Sequence, residues 1–438
     1  MLQASQPGHW PSQRGAVCPH CWQTKAERRV LSTTESLTVD KPGHGRHDRA
    51  VHALEAELAA LEDAGLRRRL RALASGSAAE VVVDGRPVLL LSSNNYLGLA
   101  NHPALRAAAC AAIERYGCGT GASRLVAGHL DLHAAVEAKL AAFKGTEAAL
   151  LFPSGYQANI GAITALVGRG DHVYSDELNH ASIVDGCRLS RASVHVYPHR
   201  DVRALEADLA ATPGGGRRLI VTDSVFSMDG DRAPLGALAA LAEHYHTWLM
   251  VDEAHATGAL GSRGAGLAEA DGVGACIAIH MGTLGKALGG AGAYVAGSRA
   301  LVDLLVNRAR SFVYTTGLAP AAVAAAGAAL DVVIAEPERR AALAENAACL
   351  RRGLAALGLD VRGDTHIVPV VVGDNRAALA LAEGLLARGV LVQAIRPPTV
   401  PLGTARLRVS PMATHSAAQL EHALAAFADA GRASGVVR

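Results

Sequence analysis

The sequence predicts an α/β protein with a mostly parallel central sheet and a smaller α+β domain at its C-terminal end. Short apolar runs at 149–152, 172–174, 219–222, 248–251 and 276–279 alternate with longer Ala- and Leu-rich stretches of helical period. Such alternation marks βα units whose parallel sheet is covered on both faces. Half of the residues are hydrophobic but only 4% are aromatic, so the interior is filled by Ala, Val, Leu and Ile, a bias that suits helices lying close on a sheet. At 438 residues the chain exceeds what one core supports, which predicts more than one domain.

Residues 1–50 are rich in Pro, Gly, Ser, Gln, Arg and His without sustained period, and are expected to form a disordered extension. They hold Cys18 and Cys21 in a CxxC, with His44 and His47 as conceivable partners, but no second CxxC follows; no metal is expected. Residues 51–100 make an N-terminal segment. Its first part, 51–74, reads as an amphipathic helix from the spacing of Leu54, Leu58, Leu61, Leu66 and Leu70, with a basic cluster of Arg67, Arg68, Arg69 and Arg71 near its end. A short strand at 87–91 follows. Residues 101–336 form the large α/β domain. Residues 337–432 form the small one, with a helix at 339–357, strands at 368–372, 390–394 and 405–409, and a closing helix at 417–430.

The charge balance removes some function classes. A formal charge of +2 from 42 basic and 40 acidic residues gives no footprint for nucleic acid or an anionic membrane. No apolar run reaches the roughly 18 residues of a spanning helix; the longest, 321–335, is interrupted by Asp331. Seven cysteines without framework spacing point to reduced thiols, and no signal-type apolar stretch opens the chain, so the cytoplasm is expected.

Ligands of an open parallel sheet bind beyond the carboxyl ends of its strands, so polar residues directly after the apolar runs are the candidates. Asp252, Glu253 and His255 follow the run at 248–251, Asp223 and Ser227 the run at 219–222, His180 the run at 172–174, and the run at 276–279 leads to Thr283 and Lys286. Two phosphate-loop readings fail on spacing. The segment before Lys286 lacks the first Gly and the following Ser or Thr of a nucleoside-triphosphate loop, and Gly117-Cys-Gly-Thr-Gly-Ala follows a helical stretch where a dinucleotide fingerprint needs a strand. One ligand accounts for the whole set, pyridoxal 5′-phosphate (PLP). It needs a lysine amine for its aldehyde, a carboxylate facing its ring nitrogen, a donor to its phenolate oxygen, a flat group over the ring and backbone N–H groups for its phosphate. Lys286, Asp252, His255, His180 and the segment from Ser154 through Gly155 and Tyr156 to Gln157 supply them.

These residues resemble a known family, the α-oxoamine synthases of the PLP fold-type I group, from about residue 54 to 430. The resemblance rests on Ser92-Ser-Asn-Asn-Tyr-Leu-Gly-Leu, Asn179-His-Ala-Ser, Val225-Phe-Ser-Met-Asp-Gly, Val251-Asp-Glu-Ala-His and Gly282-Thr-Leu-Gly-Lys. It implies a PLP-dependent acyltransferase of the aspartate aminotransferase-like fold, with Lys286, His180 and Asp252 catalytic. Gly155, Tyr156, Ser227, His255 and Thr283 complete the cofactor site, and Arg67 and Thr399 match substrate contacts. Arg408 is the candidate for the amino-acid carboxylate, through a bidentate fork. Thr315 and Thr316 resemble residues that reach a neighbouring subunit's site, which implies a homodimer. The C-terminal stretch from Ala394 to Arg408 resembles members that condense L-alanine with a pimeloyl thioester, on coenzyme A or acyl carrier protein, in biotin synthesis. Asn94-Asn-Tyr and Thr283-Leu-Gly-Lys-Ala-Leu-Gly-Gly resemble equally the members that join glycine to acetyl-CoA.

Overall fold

The structure, a computed structural model, describes residues 44–212 and 214–437, with side chains from Val51 onward. The CxxC pair, Cys18 and Cys21, and the rest of the expected extension lie outside the described residues, as do the side chains of His44 and His47. The chain divides into two units, 1–59 and 60–438. The described part of the first is helical, the start of the helix His44–Asp63, and it exposes Leu54 and Leu58. That helix ends eleven residues short of the expected 74, at Asp63. Gly65 turns the chain at φ +63°, a left-handed conformation that helices use to stop, and Leu70, counted in the apolar stripe, is fully exposed.

Within the second unit a hairpin of β1 (Glu80–Val83) and β2 (Arg86–Leu90) precedes the large sheet. The seven strands of that sheet are β3 (Ala148–Phe152), β4 (His172–Asp176), β5 (Ser193–Tyr197), β6 (Arg218–Asp223), β7 (Trp248–Asp252), β8 (Ile279–Thr283) and β9 (Ala293–Gly297). Their order is β3-β9-β8-β7-β6-β4-β5. All pairings are parallel except those of β9, which runs antiparallel to both neighbours. Successive side chains of a strand face opposite sides. Leu150, Val221, Met250 and Val295 therefore enter one core while Leu151, Ile220, Val251 and Tyr294 enter the other.

The remaining strands are β10 (Asp360–Val361), β11 (Val368–Gly373), β12 (Val390–Leu391), β13 (Gln393–Ile395) and β14 (Ala405–Val409). Four of them make an antiparallel sheet, β10-β11-β14-β13, over a third core backed by the helices Glu338–Ala356, Asn375–Ala387 and Ala417–Ala433. β12 pairs instead with β2, which joins the N-terminal hairpin to this C-terminal layer. Thr365 fastens the layer to the large sheet by donating to the Gly230 carbonyl at 2.7 Å.

Three parallel strands end in aspartates, Asp176, Asp223 and Asp252, the last two directly opposite each other. Asp176 and Asp231 grip the His199 ring between them at 3.0 and 2.9 Å. Burial alone would lower the His199 pKa, but the two carboxylate hydrogen bonds outweigh it and lift it to about 9. The folded value exceeds the unfolded one near 6.5, so the stabilisation is complete below about 6.5 and fades as pH rises through about 9. The shift corresponds to about 3 kcal/mol at most. His199→Gln is accordingly expected to lower the unfolding midpoint at pH 6 and to matter little at pH 10; an equal loss at both would remove the ionic clamp.

Among the described residues no single helix is long and apolar enough to cross a membrane.

Candidate active site

The site forms where β6, β7 and β8 end. Asp252, the last residue of β7, is buried at 3% exposure, and its Oδ2 accepts from Asn159 Nδ2 at 2.7 Å. The same amide donates to Ser182 Oγ at 2.8 Å, and Ser182 Oγ meets His180 Nδ1 at 2.7 Å. His180 caps the helix Ala181–Ser190 by accepting the Ser182 N–H on Nδ1, which leaves its neutral ring proton on Nε2. Its own N–H donates to Asp223 Oδ2 at 2.7 Å. Asp223 is buried beside Asp252, and burial followed by that neighbouring charge raises its pKa well above the carboxylate range. The His180 residue is solvent-exposed while its backbone and Nδ1 are fixed, so a ring face is open to a ligand.

Lys286 follows β8 in a Gly-rich turn. Its Nζ lies 2.8 Å from His255 Nε2, and His255 Nδ1 lies 2.7 Å from the Tyr96 hydroxyl. Tyr96 donates to Asn94 Oδ1 at 2.9 Å and accepts from Arg408 Nη2 at 3.0 Å. With the Tyr96 proton donated to Asn94, the matching His255 tautomer donates from Nδ1 to Tyr96 and accepts from Lys286 on Nε2. Burial, with Lys286 and Arg408 adding to it, keeps the His255 pKa well below normal, so the ring is neutral. Burial likewise brings the Lys286 amine down to about 8, against the pull of Asp252.

The sequence holds five lysines, and three lie among the described residues. Lys139 pairs with Asp331 at the surface and Lys144 with Glu253 in the interior. Lys286 alone of the three has no carboxylate in hydrogen-bond contact.

The helix Gly155–Leu166 begins next to β8. Ser154 caps it by accepting the Gln157 N–H at 3.3 Å, leaving first-turn N–H groups free for an anion. A Cβ on Gly155 would stand 3.1 Å from Met281 Cε, so a side chain there would crowd the turn against β8. Tyr156 is exposed and donates its hydroxyl to Asp185. Thr283 gives its one hydroxyl proton to the Gly292 carbonyl at 3.0 Å and accepts from Gly285 N–H at 3.2 Å, so here its oxygen acts on the turn before Lys286. Ser227 is half-buried, and its carbonyl accepts from Arg408 Nε at 2.6 Å.

The residues present fit PLP. A buried carboxylate, a lysine amine without an acidic partner, an open imidazole face and an uncrowded helix start surround one place. The Oδ1 of Asn159, next to Asp252, is buried without a partner among the described residues. Bound there, Lys286 would hold the aldehyde carbon, Asp252 the ring nitrogen, His180 the ring face and the Ser154–Gly155 turn the phosphate.

The structure also brings the 65–68 turn to the 396–399 turn. Arg396 donates to the Gly65 carbonyl, and Arg68 Nη2 donates to the Pro397 carbonyl at 3.2 Å. Arg67, half-buried with Nη1 3.3 Å from Glu62, and exposed Thr399 therefore belong to one edge. Thr316 is exposed and its backbone bridges to Ser123; half-buried Thr315 precedes it.

Sequence reasoning missed Asn159 altogether. It lies one turn after Gly155 on the same helix, and the i, i+4 spacing from that glycine was the available signal. Tyr96 was visible only as part of a motif, and His366, whose ring packs edge-on against Tyr96 at 4.2 Å between centroids, was not singled out. Among the described residues no group of three or more metal-ligating side chains converges.

Known proteins agree with this geometry. The family model described as aminotransferase class I and II matches residues 86–427. An 8-amino-7-oxononanoate synthase of Geobacter sulfurreducens is 58% identical over 389 residues, covering 88% of this chain and 99% of that protein. A second, from Anaeromyxobacter dehalogenans, is 57% identical over 380 residues, covering 86% and 95%. Among solved structures, a serine palmitoyltransferase of Sphingomonas wittichii superposes with a TM-score of 0.84 at 35% identity, over 90% of this chain and 99% of that one. Another serine palmitoyltransferase, from S. paucimobilis with a bound PLP–myriocin adduct, gives 0.85 at 34% identity over 89% and 99%. The chain thus belongs to the class I and II aminotransferase family and, within it, to the PLP-dependent α-oxoamine synthases of fold type I.

Proposed function

We propose that this enzyme joins L-alanine to a pimeloyl thioester, with loss of carbon dioxide and of the thiol, to form 8-amino-7-oxononanoate for biotin synthesis. The observation that carries the reading is the pairing of a half-buried, carboxylate-free Lys286 with the Asp252–Asn159–Ser182–His180 network, on a chain 58% identical to an 8-amino-7-oxononanoate synthase over nearly its whole length.

PLP, when bound, supplies a protonated ring that takes up the electron pair released at the amino-acid Cα. The protein's own groups do the rest. Lys286, with a pKa near 8, is partly neutral at physiological pH and can accept the Cα proton as a general base. His255 stays neutral and holds the Lys286 nitrogen in place through a hydrogen bond that Tyr96 orients. Asp252 is a buried carboxyl group that would face the ring nitrogen, and Asn159 fixes its plane. Arg408 has no carboxylate in ion-pair reach among the described residues and spends four of its five N–H bonds on Ser227, Asn94, Ser410 and Tyr96. Its charge and the remaining Nη2–H are available to the alanine carboxylate. Arg67 and Thr399, on the edge formed by the two turns, would contact the acyl substrate, whether carried on coenzyme A or on acyl carrier protein.

Asp252→Asn keeps the shape but not the charge. It is expected to lower kcat by roughly a hundredfold or more while changing the alanine KM little, because the charge matters most at the transition state. An unchanged kcat would remove Asp252 from this role.

The same reading makes the enzyme a homodimer, with Thr315 and Thr316 near the partner's site. Exposed Tyr314, 70% accessible, and Val126, 81%, on the two segments joined by the Ser123–Thr316 bridge give that face apolar material to bury. Cytoplasmic location is in keeping with free thiols at Cys110, Cys118, Cys187, Cys276 and Cys349.

The test is thiol release by the PLP-loaded protein with L-alanine plus pimeloyl-CoA, against glycine plus acetyl-CoA. Release with the first pair alone is expected. Release with the second alone would transfer the protein to the glycine-condensing members of the family.

A further inference from the structure

His366 sits just before β11 and is 4% exposed. Its flanks are tied down: Thr365 donates from both its backbone and its hydroxyl to the Gly230 carbonyl, and Arg351 donates to the Thr365 carbonyl. The ring packs edge-on against Tyr96, the residue that links His255 to Arg408. Yet neither ring nitrogen has a hydrogen-bond partner among the described residues. Burying an unpaired polar ring is unfavourable, and a phenylalanine would fill the same space without that cost. The groups that act on the ring are all cationic: Arg408 first, then Arg232, Lys286 and Arg351. Burial and these charges hold the imidazole pKa down to about 3, so at physiological pH it is neutral, with one N–H donor and one acceptor nitrogen.

A cationic surround, an Arg408 Nη2–H with no acceptor among the described residues and an unpaired imidazole N–H suit the same partner, an anion. We propose that His366 is a substrate-positioning residue, giving a ring N–H to the carboxylate of the amino-acid substrate that Arg408 binds. This rests on the reading of Arg408 as the carboxylate site. The hydrogen bond would add to the hold of Arg408 on the carboxylate, so that its loss appears in the affinity for the amino acid more than in turnover.

The test uses the PLP-loaded enzyme and three variants, with the dissociation constant of L-alanine taken from the absorbance change it causes. H366F keeps a flat ring against Tyr96 but has no nitrogen; it is expected to weaken L-alanine binding about tenfold while kcat at saturating alanine stays within about threefold. H366N keeps an N–H donor and is expected to recover most of the affinity. R408K is the control for the underlying reading. Weaker binding in R408K with unchanged binding in H366F overturns the role of His366 alone, whereas unchanged binding in both overturns the carboxylate site itself. Equal losses in H366F and H366N also overturn the proposal, because they trace the effect to packing on Tyr96. If H366F does not fold, affinity within threefold of the unmodified enzyme in H366N supports the proposal and a tenfold loss there contradicts it.

Discussion

Lys286→Ala is expected to reduce turnover by roughly a thousandfold or more, since the proposed function gives this one residue the roles of covalent anchor and general base. Among the described residues no other lysine can take over: Lys139 is held by Asp331 and Lys144 by Glu253. The fold should survive the change, because among the described residues the Lys286 amine has only His255 as a hydrogen-bond partner. The amine also carries its own signature. With a pKa near 8, about one amine in ten is neutral at pH 7, against fewer than about one in a thousand for an ordinary lysine. In the cofactor-free protein, labelling of Lys286 by an amine-directed reagent should therefore reach half its maximal rate near pH 8. A midpoint above 10 would mean that burial does not activate this lysine.

Lys144→Met is expected to cost about 3–5 kcal/mol of stability, by leaving Glu253 charged and unpaired in the interior. Glu253 has no exposed surface; its Oε2 accepts from Lys144, its Oε1 accepts from the Ala268 N–H at 3.0 Å, and His280 lies 3.6 Å away. Burial would raise its pKa, but Lys144, and then His280, outweigh burial and bring it to about 2. The folded value lies below the unfolded one, so this contribution is present above about pH 4.5 and is lost as pH falls through about 2. Glu253 stands between Asp252 and His255, so Lys144→Met should impair catalysis from a position outside the site. Adding Glu253→Gln removes the stranded charge and should recover much of the loss, as a double-mutant cycle of unfolding midpoints would read out. Additive losses would place the two residues in separate roles.

Much of the site was legible because the chemistry sits where strands end. Asp252 and Asp223 close apolar runs, and the parallel sheet then sets them side by side. The interior of the site was less legible. Tyr96 meets His255 and Arg408 only through the fold, and Asn159 reaches Asp252 from a helix of which only the start, Ser154 to Gln157, was read as part of the site. The run at 276–279 was placed too early because His280 resembled the polar residue that stops a strand. Gly274–Cys276 is a 3-10 turn, and β8 continues through His280, buried at 1%, to Thr283.

β9 was missed because Ala293-Tyr-Val-Ala-Gly lies in a glycine-rich stretch without a clear period, and its antiparallel direction depends on partners on both sides. β5 was missed as an edge strand whose Val194 and Val196 are exposed. The helical stretch expected before Gly117 is the helix Pro103–Tyr116, which places the Gly117 to Ala122 segment after a helix and removes the dinucleotide fingerprint.

The most direct test of the central claim follows the carboxyl carbon. The PLP-loaded enzyme is given L-alanine labelled at that carbon, with pimeloyl-CoA, and labelled carbon dioxide, free thiol and the amino-ketone product are counted together. One labelled carbon dioxide and one thiol for each unlabelled product is the predicted result. Thiol release without labelled carbon dioxide, or a product that keeps the label, would contradict decarboxylative condensation.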